Sequence, residues 1–309
     1  MASLGMSLLL TGALGVSFDV SSLETQAAAT TRPEVCPAEG QRPTVWRRIR
    51  LPKLASYCQH MALAQAGLAA ESPGAEQSLE AAEAAIAGLP DTARLRGRVL
   101  AARGKHAEAV RAFDEASKAG LALGPLALRD FAQSLRKAGE LERAVATYRM
   151  LVPQAGLLPK ATRDVVLLEA AFATMTDAET RSAAERESGL EEALAYLHEL
   201  RDDPTSNLGS EALLGAALVA VRRGQSKQAT GIAAQATVAG AGARVASWVA
   251  DDADQQALAA LAKESAALAS SVALWESYLT DHPKGPFSDA ARAHLEALKK
   301  RAPKAPKTR

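Results

Sequence analysis

The side chains that could do chemistry in this sequence are dispersed rather than gathered into a motif. The histidines are widely separated: His60, His106, His198, His282 and His294. No segment has the glycine-rich pattern of a phosphate-binding loop, the paired histidines of a zinc-hydrolase helix or the Gly-x-Ser-x-Gly turn of a hydrolase nucleophile. The sequence therefore predicts a protein that is not an enzyme and has no cofactor and no metal. The alternative is an enzyme whose site follows none of these patterns.

The two cysteines, Cys36 and Cys58, are the other candidates for chemistry. In an oxidising compartment they would pair, close a loop of about twenty residues and attach the chain before residue 52 to the first helix. In a reducing cytosol they would remain thiols. With His60 they lack the spacing of a metal site.

The composition indicates packed helices and no nucleic-acid partner. Hydrophobic residues make up 48% of the 309 residues but aromatic residues only 4%, so most of the apolar content is Ala, Leu and Val. The 36 basic and 35 acidic residues give a net charge of +1, without the basic excess that binds phosphates. A chain of this length exceeds the usual single domain unless it is a repeat array, in which each unit contacts only its neighbours.

A pattern of three residues occurs twice, 35 residues apart. It consists of a turn glycine, a small residue five positions later and an aromatic ring nine positions later. The two copies are Gly104, Ala109 and Phe113, and Gly139, Ala144 and Tyr148. At helical spacing the glycine turns the chain, the alanine lets two helices approach and the ring fills the gap between them. Small residues seven positions before the turns, Gly97 and Ala132, complete the helical hairpin.

These residues and their period make the chain resemble the tetratricopeptide repeat family, whose repeat is about 34 residues long. The resemblance implies an all-α fold, a right-handed superhelical α-solenoid of antiparallel helix pairs over residues 53–300. It also implies a protein that binds a peptide or protein partner in its concave groove.

The resemblance further implies which side chains line the groove. In the two clearest repeats these are Arg94, Arg98, Arg129, Gln133 and Arg136, and in the repeat of Gly224 they include Leu214 and Leu218. Four guanidinium groups on adjacent helices would hold an acidic peptide through bidentate hydrogen bonds. The alternative is that the arginines pair with neighbouring acids such as Asp91 and Asp130. The family's carboxylate clamp uses asparagines, and Arg98 and Gln133 stand at two of those positions.

Later segments predict further helices. Residues 158–175 form a first helix, and residues 176–188, rich in Glu, Arg, Thr and Ser, form an insert before the period resumes. The insert is either a partner-binding protrusion or an extension of a helix. Residues 255–279 are expected to form one helix. Trp275, Tyr278 and Phe287 resemble the ring cluster that ends repeat proteins of the bacterial envelope, and residues 301–309 form a basic, disordered tail.

The N-terminal residues 1–29 resemble a secretory signal, with an apolar run at Leu8, Leu9 and Leu10 and a cleavage region at Ala27 to Ala29. A Pro-rich arm, 30–52, follows. This predicts export to the periplasm or cell envelope, without a stable membrane span after processing. The alternative is a cytoplasmic protein with a disordered N-terminus.

Two functions follow from this organisation. The first is a noncatalytic scaffold that holds a peptide or protein partner, of unidentified sequence, in its concave groove. The second is a structural subunit of an envelope complex that assembles through its convex face and the 176–188 insert. The sequence does not indicate an oligomeric state.

Overall fold

The computed structural model describes residues 33, 35, 36, 51–238 and 251–301. Across these residues it contains α-helices, one short 3-10 helix and no strand, which confirms the all-α prediction. The helices are α1 (Leu51–Ala69), α2 (Gly74–Ala85), α3 (Pro90–Ala102), α4 (His106–Lys118), α5 (Pro125–Lys137), α6 (Leu141–Leu151), α7 (Lys160–Ala178), α8 (Ala183–Asp202), α9 (Gly209–Arg222), α10 (Ser226–Val238), α11 (Asp252–Lys263), α12 (Leu268–Asp281) and α13 (Ser288–Arg301). The 3-10 helix, Val152–Leu157, connects α6 to α7. The predicted signal segment, 1–29, most of the arm and most of the tail lie outside the described residues.

The helices pack in consecutive pairs. Each odd-numbered helix from α1 to α11 makes its most extensive contact with the helix that follows it. Further contacts join α1 to α3, α3 to α5, α7 to α9 and α9 to α11. Within the described part of the chain, no comparable contact joins α2 to α4, α4 to α6 or α8 to α10. This arrangement is compatible with an α-solenoid, in which neighbouring hairpins share an interface.

The two copies of the repeated pattern form equivalent turns. Gly104 and Gly139 adopt φ angles of +72° and +82°, a region that residues with a side chain rarely enter. At each turn the next amide donates to a carbonyl five residues earlier, which ends the first helix. The small and aromatic residues of the pattern are buried: Ala109, Phe113, Ala144 and Tyr148.

Gly97 lies where α3 and α4 approach most closely. A Cβ at this position would be 2.8 Å from ring carbons of Phe113, which is fully buried. Ala132, 35 residues later, is also fully buried. The Phe113 ring then contacts Phe131 of α5, with 5.2 Å between ring centroids, so the same ring links one hairpin to the next.

The 176–188 insert lengthens a hairpin and does not form a protruding loop. Helices α7 and α8 have 19 and 20 residues, whereas α3, α4 and α5 have 13 each. Ser182 and Glu185 form a capping box at the start of α8. Glu179, in the turn, binds Arg222 of α9 at 2.8 Å, so part of the insert packs inward.

Residues 255–279 are not one helix, which corrects that prediction. The chain turns after Lys263, and α11 and α12 pack as a pair. Glu264 in this turn is buried and accepts a hydrogen bond from Trp275 Nε1 at 3.3 Å, and its carboxylate lies 2.7 Å from His294 Nε2. The buried carboxylate of Glu264 therefore contacts both α12 and α13.

The last described helix, α13, packs against three earlier helices. Trp275, Tyr278 and Phe287 are buried, as the ring cluster predicted. The Trp275 ring meets Tyr278 edge-on at 5.5 Å and the His294 ring at 5.3 Å. Helix α13 also contacts α9 and α10, so it packs against helices other than its neighbour α12.

The first helix is tied to the chain that precedes it. Cys36 and Cys58 form a disulfide whose Cα atoms are 5.7 Å apart. Cys36 is buried in a cluster with Tyr57, Met61 and Leu79. Of the helices that the structure describes, none has the length and apolar character needed to span a membrane.

Candidate functional site

A cleft of about 400 Å³ opens between the turn that joins α1 to α2 and the helices α3 and α5. Three of the predicted groove residues line it: Arg98, Arg129 and Gln133. The other polar side chains on its walls are Glu71, Ser72, Arg103, His106, Asp130 and Ser134. The structure therefore brings side chains from three successive helix pairs to one cleft.

Arg98 and Asp130 form one wall of the cleft. Nε of Arg98, on α3, donates to Oδ2 of Asp130, on α5, at 2.7 Å. Only 10% of the arginine side chain and 23% of the aspartate side chain are exposed. The guanidinium group is thus already engaged by an internal carboxylate.

Arg129 and Gln133 converge on Glu169 of α7. Arg129 donates from Nη2 at 2.8 Å and from Nε at 3.2 Å, and Gln133 donates from Nε2 at 2.6 Å. The hydroxyl of Tyr148 donates at 3.4 Å, and the Glu169 side chain is fully buried. Burial alone would lower the pKa of Arg129, but the Glu169 carboxylate outweighs it and raises that pKa.

The same carboxylate keeps Tyr148 protonated. Burial raises the pKa of the Tyr148 hydroxyl well above its ordinary value, and the charge of Glu169 raises it further. Glu169 is therefore the shared acceptor of one guanidinium, one amide and one phenol. Such a satisfied buried network fixes the positions of α5, α6 and α7 relative to one another.

The remaining predicted arginines do not line the cleft. Arg94 pairs with Asp91 at 2.7 Å, and 13% of its side chain is exposed. Burial lowers the pKa of Arg94, although Asp91 opposes this change. Arg136 has its own interactions, and its charge acts on both Tyr148 and Asp254. Of the five predicted polar residues, three therefore line the cleft and Arg94 and Arg136 do not.

Leu214 and Leu218 belong to the core rather than to a groove surface. They are 1% and 3% exposed and pack in the largest apolar cluster. The reason is that α9 contacts α7, α8, α10, α11 and α13, so it is covered on most sides. A helix that is apolar all round, as the sequence of α9 is, generally lies inside a protein.

Sequence reasoning missed Glu169 and Glu71. Glu169 is the lone charge in the apolar stretch 165–175, and a single carboxylate in such a stretch indicates a buried partner. Glu71 occupies the position that is glycine in three later turns, at Gly104, Gly139 and Gly224, which only a comparison of the turns would reveal.

Neither a metal nor a known relative defines the site. Within the described chain, no three His, Cys, Asp or Glu side chains are arranged to hold a metal ion. Compared with known proteins, the chain matches no family model and no curated protein sequence. The cleft is therefore the feature of the described chain that points to a function.

Proposed function

We propose that this chain is a noncatalytic scaffold of the tetratricopeptide type that holds a peptide segment of a protein partner in its concave groove. The observation that carries the proposal is the 400 Å³ cleft, where side chains of α3 and α5 meet the turn of the first hairpin. A cleft of this size is at the lower end of the range for ligand sites, about 300–1,000 Å³. It suits a few residues of an extended segment.

The packing supports a groove on this side. Contacts between alternate helices join the first helices α1 to α3, α3 to α5, α7 to α9 and α9 to α11, though not α5 to α7, whereas the described second helices α2, α4 and α6 lack comparable contacts with one another. Hairpins that touch along their first helices and diverge along their second helices produce a curved stack. Antiparallel pairs and a right-handed superhelix are the geometry that we propose for this stack.

Export to the periplasm or cell envelope is part of the proposal. The support is the bond between Cys36 and Cys58, because disulfides persist in oxidising compartments. Mass spectrometry of the native protein should find an N-terminus near Thr30 and this crosslink. An intact Met1 with two free thiols would contradict export.

The alternative, a structural subunit that assembles through its convex face and the insert, has less support. Residues of the insert are engaged within the chain. Glu179 binds Arg222 at 2.8 Å, and Arg181 binds Asp177 at 3.1 Å. An extended hairpin with internal partners is better explained as part of the packing.

The test fills the cleft without disturbing its ion pairs. Ala102 is exposed and lines the cleft, so Ala102→Trp should block it. Ala119, an exposed residue after α4 that does not line the cleft, supplies the control Ala119→Trp. The full chain would be used to select from a displayed library of random twelve-residue peptides.

We expect the wild-type chain and Ala119→Trp to enrich the same peptides. Ala102→Trp should bind these peptides at least about tenfold more weakly, which corresponds to about 1.4 kcal/mol. If no peptide is enriched, or if Ala102→Trp binds as wild type does, the proposed groove function is wrong.

A further inference from the structure

Two charges at the cleft remain after its internal ion pairs are assigned. Arg98 is paired with Asp130, and Arg129 is paired with Glu169. Glu71 and Arg103 are exposed and line the cleft, and neither forms an ion pair within the described residues. The cleft therefore offers a ligand one free carboxylate and one free guanidinium group.

Glu71 stands at a turn position where a glycine is favoured. Its φ angle is +51°, and among the described residues it is the one residue other than glycine that has a positive φ angle. The amide of Ser72 donates to the carbonyl of Gly67 at 2.7 Å, the same pattern that Gly104 and Gly139 show in their turns. A left-handed backbone conformation is unfavourable for a residue with a Cβ. The first hairpin thus keeps a carboxylate where glycine would fit with less strain.

Arg103 occupies the turn of the next hairpin, directly before Gly104. Lys105 in that turn binds Glu76 of α2 at 3.2 Å, which connects the second turn to the first hairpin. This partly exposed ion pair links the second turn to α2 but adds little rigidity. Glu71 and Arg103 line the same cleft from these two successive turns.

His106 adds a neutral hydrogen-bonding group to the lining of the same cleft. Burial lowers the pKa of His106, and the charge of Lys137 lowers it further, so the imidazole is neutral at pH 7. Its Nδ1 atom is buried and has no hydrogen-bond partner in the described structure. A neutral imidazole at this position suits an amide of a bound peptide.

We propose that Glu71 and Arg103 select the partner of the cleft. The bound segment carries one basic side chain, which pairs with Glu71, and one acidic side chain, which pairs with Arg103. The inference rests on the proposed groove function and specifies the chemistry of the peptide. Of the four arginines named by the family resemblance, Arg98 and Arg129 join helices through internal acids, Arg94 pairs with Asp91 within its own helix, and Arg136 has contacts of its own.

The probe is a set of fluorescently labelled five-residue peptides read by anisotropy with the full chain. The parent peptides are Ala-Lys-Ala-Glu-Ala and Ala-Glu-Ala-Lys-Ala, which cover both binding directions. Matched peptides carry Gln in place of Lys, of Glu or of both. We expect one parent to bind about tenfold more tightly than each peptide that lacks one charge.

Variants assign each charge preference to one residue. Glu71→Gln should abolish the preference for Lys and keep the preference for Glu, and Arg103→Gln should do the reverse. Glu80→Gln and Arg111→Gln change exposed charges outside the cleft and should bind as wild type does.

Glu71→Gly distinguishes a loss of the preference for Lys peptides from damage to the turn. It removes the side chain and the unfavourable backbone conformation together, so it should unfold at an equal or higher denaturant concentration and still lose the preference for Lys. A loss of binding caused only by damage to the turn would instead appear in Glu71→Gln and be absent in Glu71→Gly.

The outcomes distinguish this inference from the function on which it rests. If peptides bind and Ala102→Trp blocks them, but the four charge patterns bind equally, the selection by Glu71 and Arg103 is wrong and the groove function stands. If neither these peptides nor any library peptide binds, both proposals are overturned.

Discussion

At Gly97 the packing of two helices depends on the absence of a single methyl group. The ring of Phe113 occupies the space that a Cβ would need, and this ring is fully buried and in contact with Phe131. A side chain that is held on both sides cannot move aside without disturbing its neighbours. A glycine in the interior of a helix, normally unfavourable, is therefore retained here for packing.

We expect Gly97→Ala to destabilise the protein by about 1–3 kcal/mol, the usual cost of overpacking a core. Gly231, also inside a helix, is exposed, and an added methyl group there would have no neighbouring atom within 4 Å. Gly231→Ala should therefore stabilise the protein by about 0.5–1 kcal/mol, the ordinary gain in helix propensity. Urea denaturation followed by circular dichroism measures both. Equal effects of the same sign would contradict the packing argument.

Single residues also show how far the sequence predicts the site. The turn glycines and buried rings could be predicted because they repeat at a fixed spacing. The alternative, that the arginines pair with neighbouring acids such as Asp91 and Asp130, agrees with the contacts of Arg94 and Arg98 in the structure. The partner of Arg129 could not be predicted, because Glu169 is 40 residues away and its position depends on how α7 packs.

At the scale of helices, Arg222 of α9 joins α7 and α11. Its guanidinium group is buried, binds Glu179 and Asp254, and lies 4.5 Å from the centroid of the Phe287 ring. Asp251 is a third carboxylate that acts on this cluster. One buried cation therefore faces more negative charge than it balances.

The cluster predicts a dependence of stability on pH. Burial raises the pKa of Asp254 to about 7, and Asp251 and Glu179 contribute to the rise although Arg222 and Arg136 oppose it. Between about pH 4 and pH 7 the folded protein holds a proton on Asp254 that the unfolded chain has released. The free energy of unfolding should therefore fall as pH rises through this window, by about 1.4 kcal/mol per unit of pKa difference at most.

Asp254→Asn should remove this part of the pH dependence, because the amide does not titrate. Asp252→Asn, an exposed substitution in the same helix, should keep the wild-type profile. Urea midpoints between pH 4.5 and 8.5 provide the comparison. An Asp254→Asn profile that is parallel to wild type would show that Asp254 is ionised throughout.

Helix boundaries were predictable where glycine or proline marks them and not where a tertiary contact does. Pro90 and Pro125 begin α3 and α5, and Gly104 and Gly139 follow α3 and α5. The break between α11 and α12 has neither residue. It is held by the buried contacts of Glu264 with Trp275 and His294, which the local sequence does not reveal.

Across the whole molecule, arginine–carboxylate pairs join the successive first helices. Arg98 to Asp130 connects α3 to α5, and Arg129 to Glu169 connects α5 to α7. Arg222 then connects α9 to both Glu179, after α7, and Asp254, in α11. Between α1 and α3 the link is a hydrogen bond of 3.0 Å between the hydroxyls of Tyr57 and Thr92. The polar contacts therefore run along the same series of helices as the apolar contacts.

This series predicts that one repeat can be removed. Deletion of residues 104–138 joins Arg103 to Gly139, so α3 pairs with α6 and precedes α7. Arg94 and Arg98 are each 35 residues before Arg129 and Gln133, and they would take their places beside Glu169. The shortened chain should remain helical by circular dichroism and unfold in one transition.

A control deletion that is not one whole repeat shows whether the 35-residue spacing matters. Deletion of residues 104–120 removes only α4 and leaves α3 without a partner helix, so it should unfold without cooperativity. Glu169→Gln in the shortened chain should lower the free energy of unfolding by about 3 kcal/mol, because it leaves the arginine beside it without a buried carboxylate. If the shortened chain is unfolded, or if Glu169→Gln has no effect in it, Arg94 and Arg98 have not replaced Arg129 and Gln133, and the hairpins are not equivalent units of one stack.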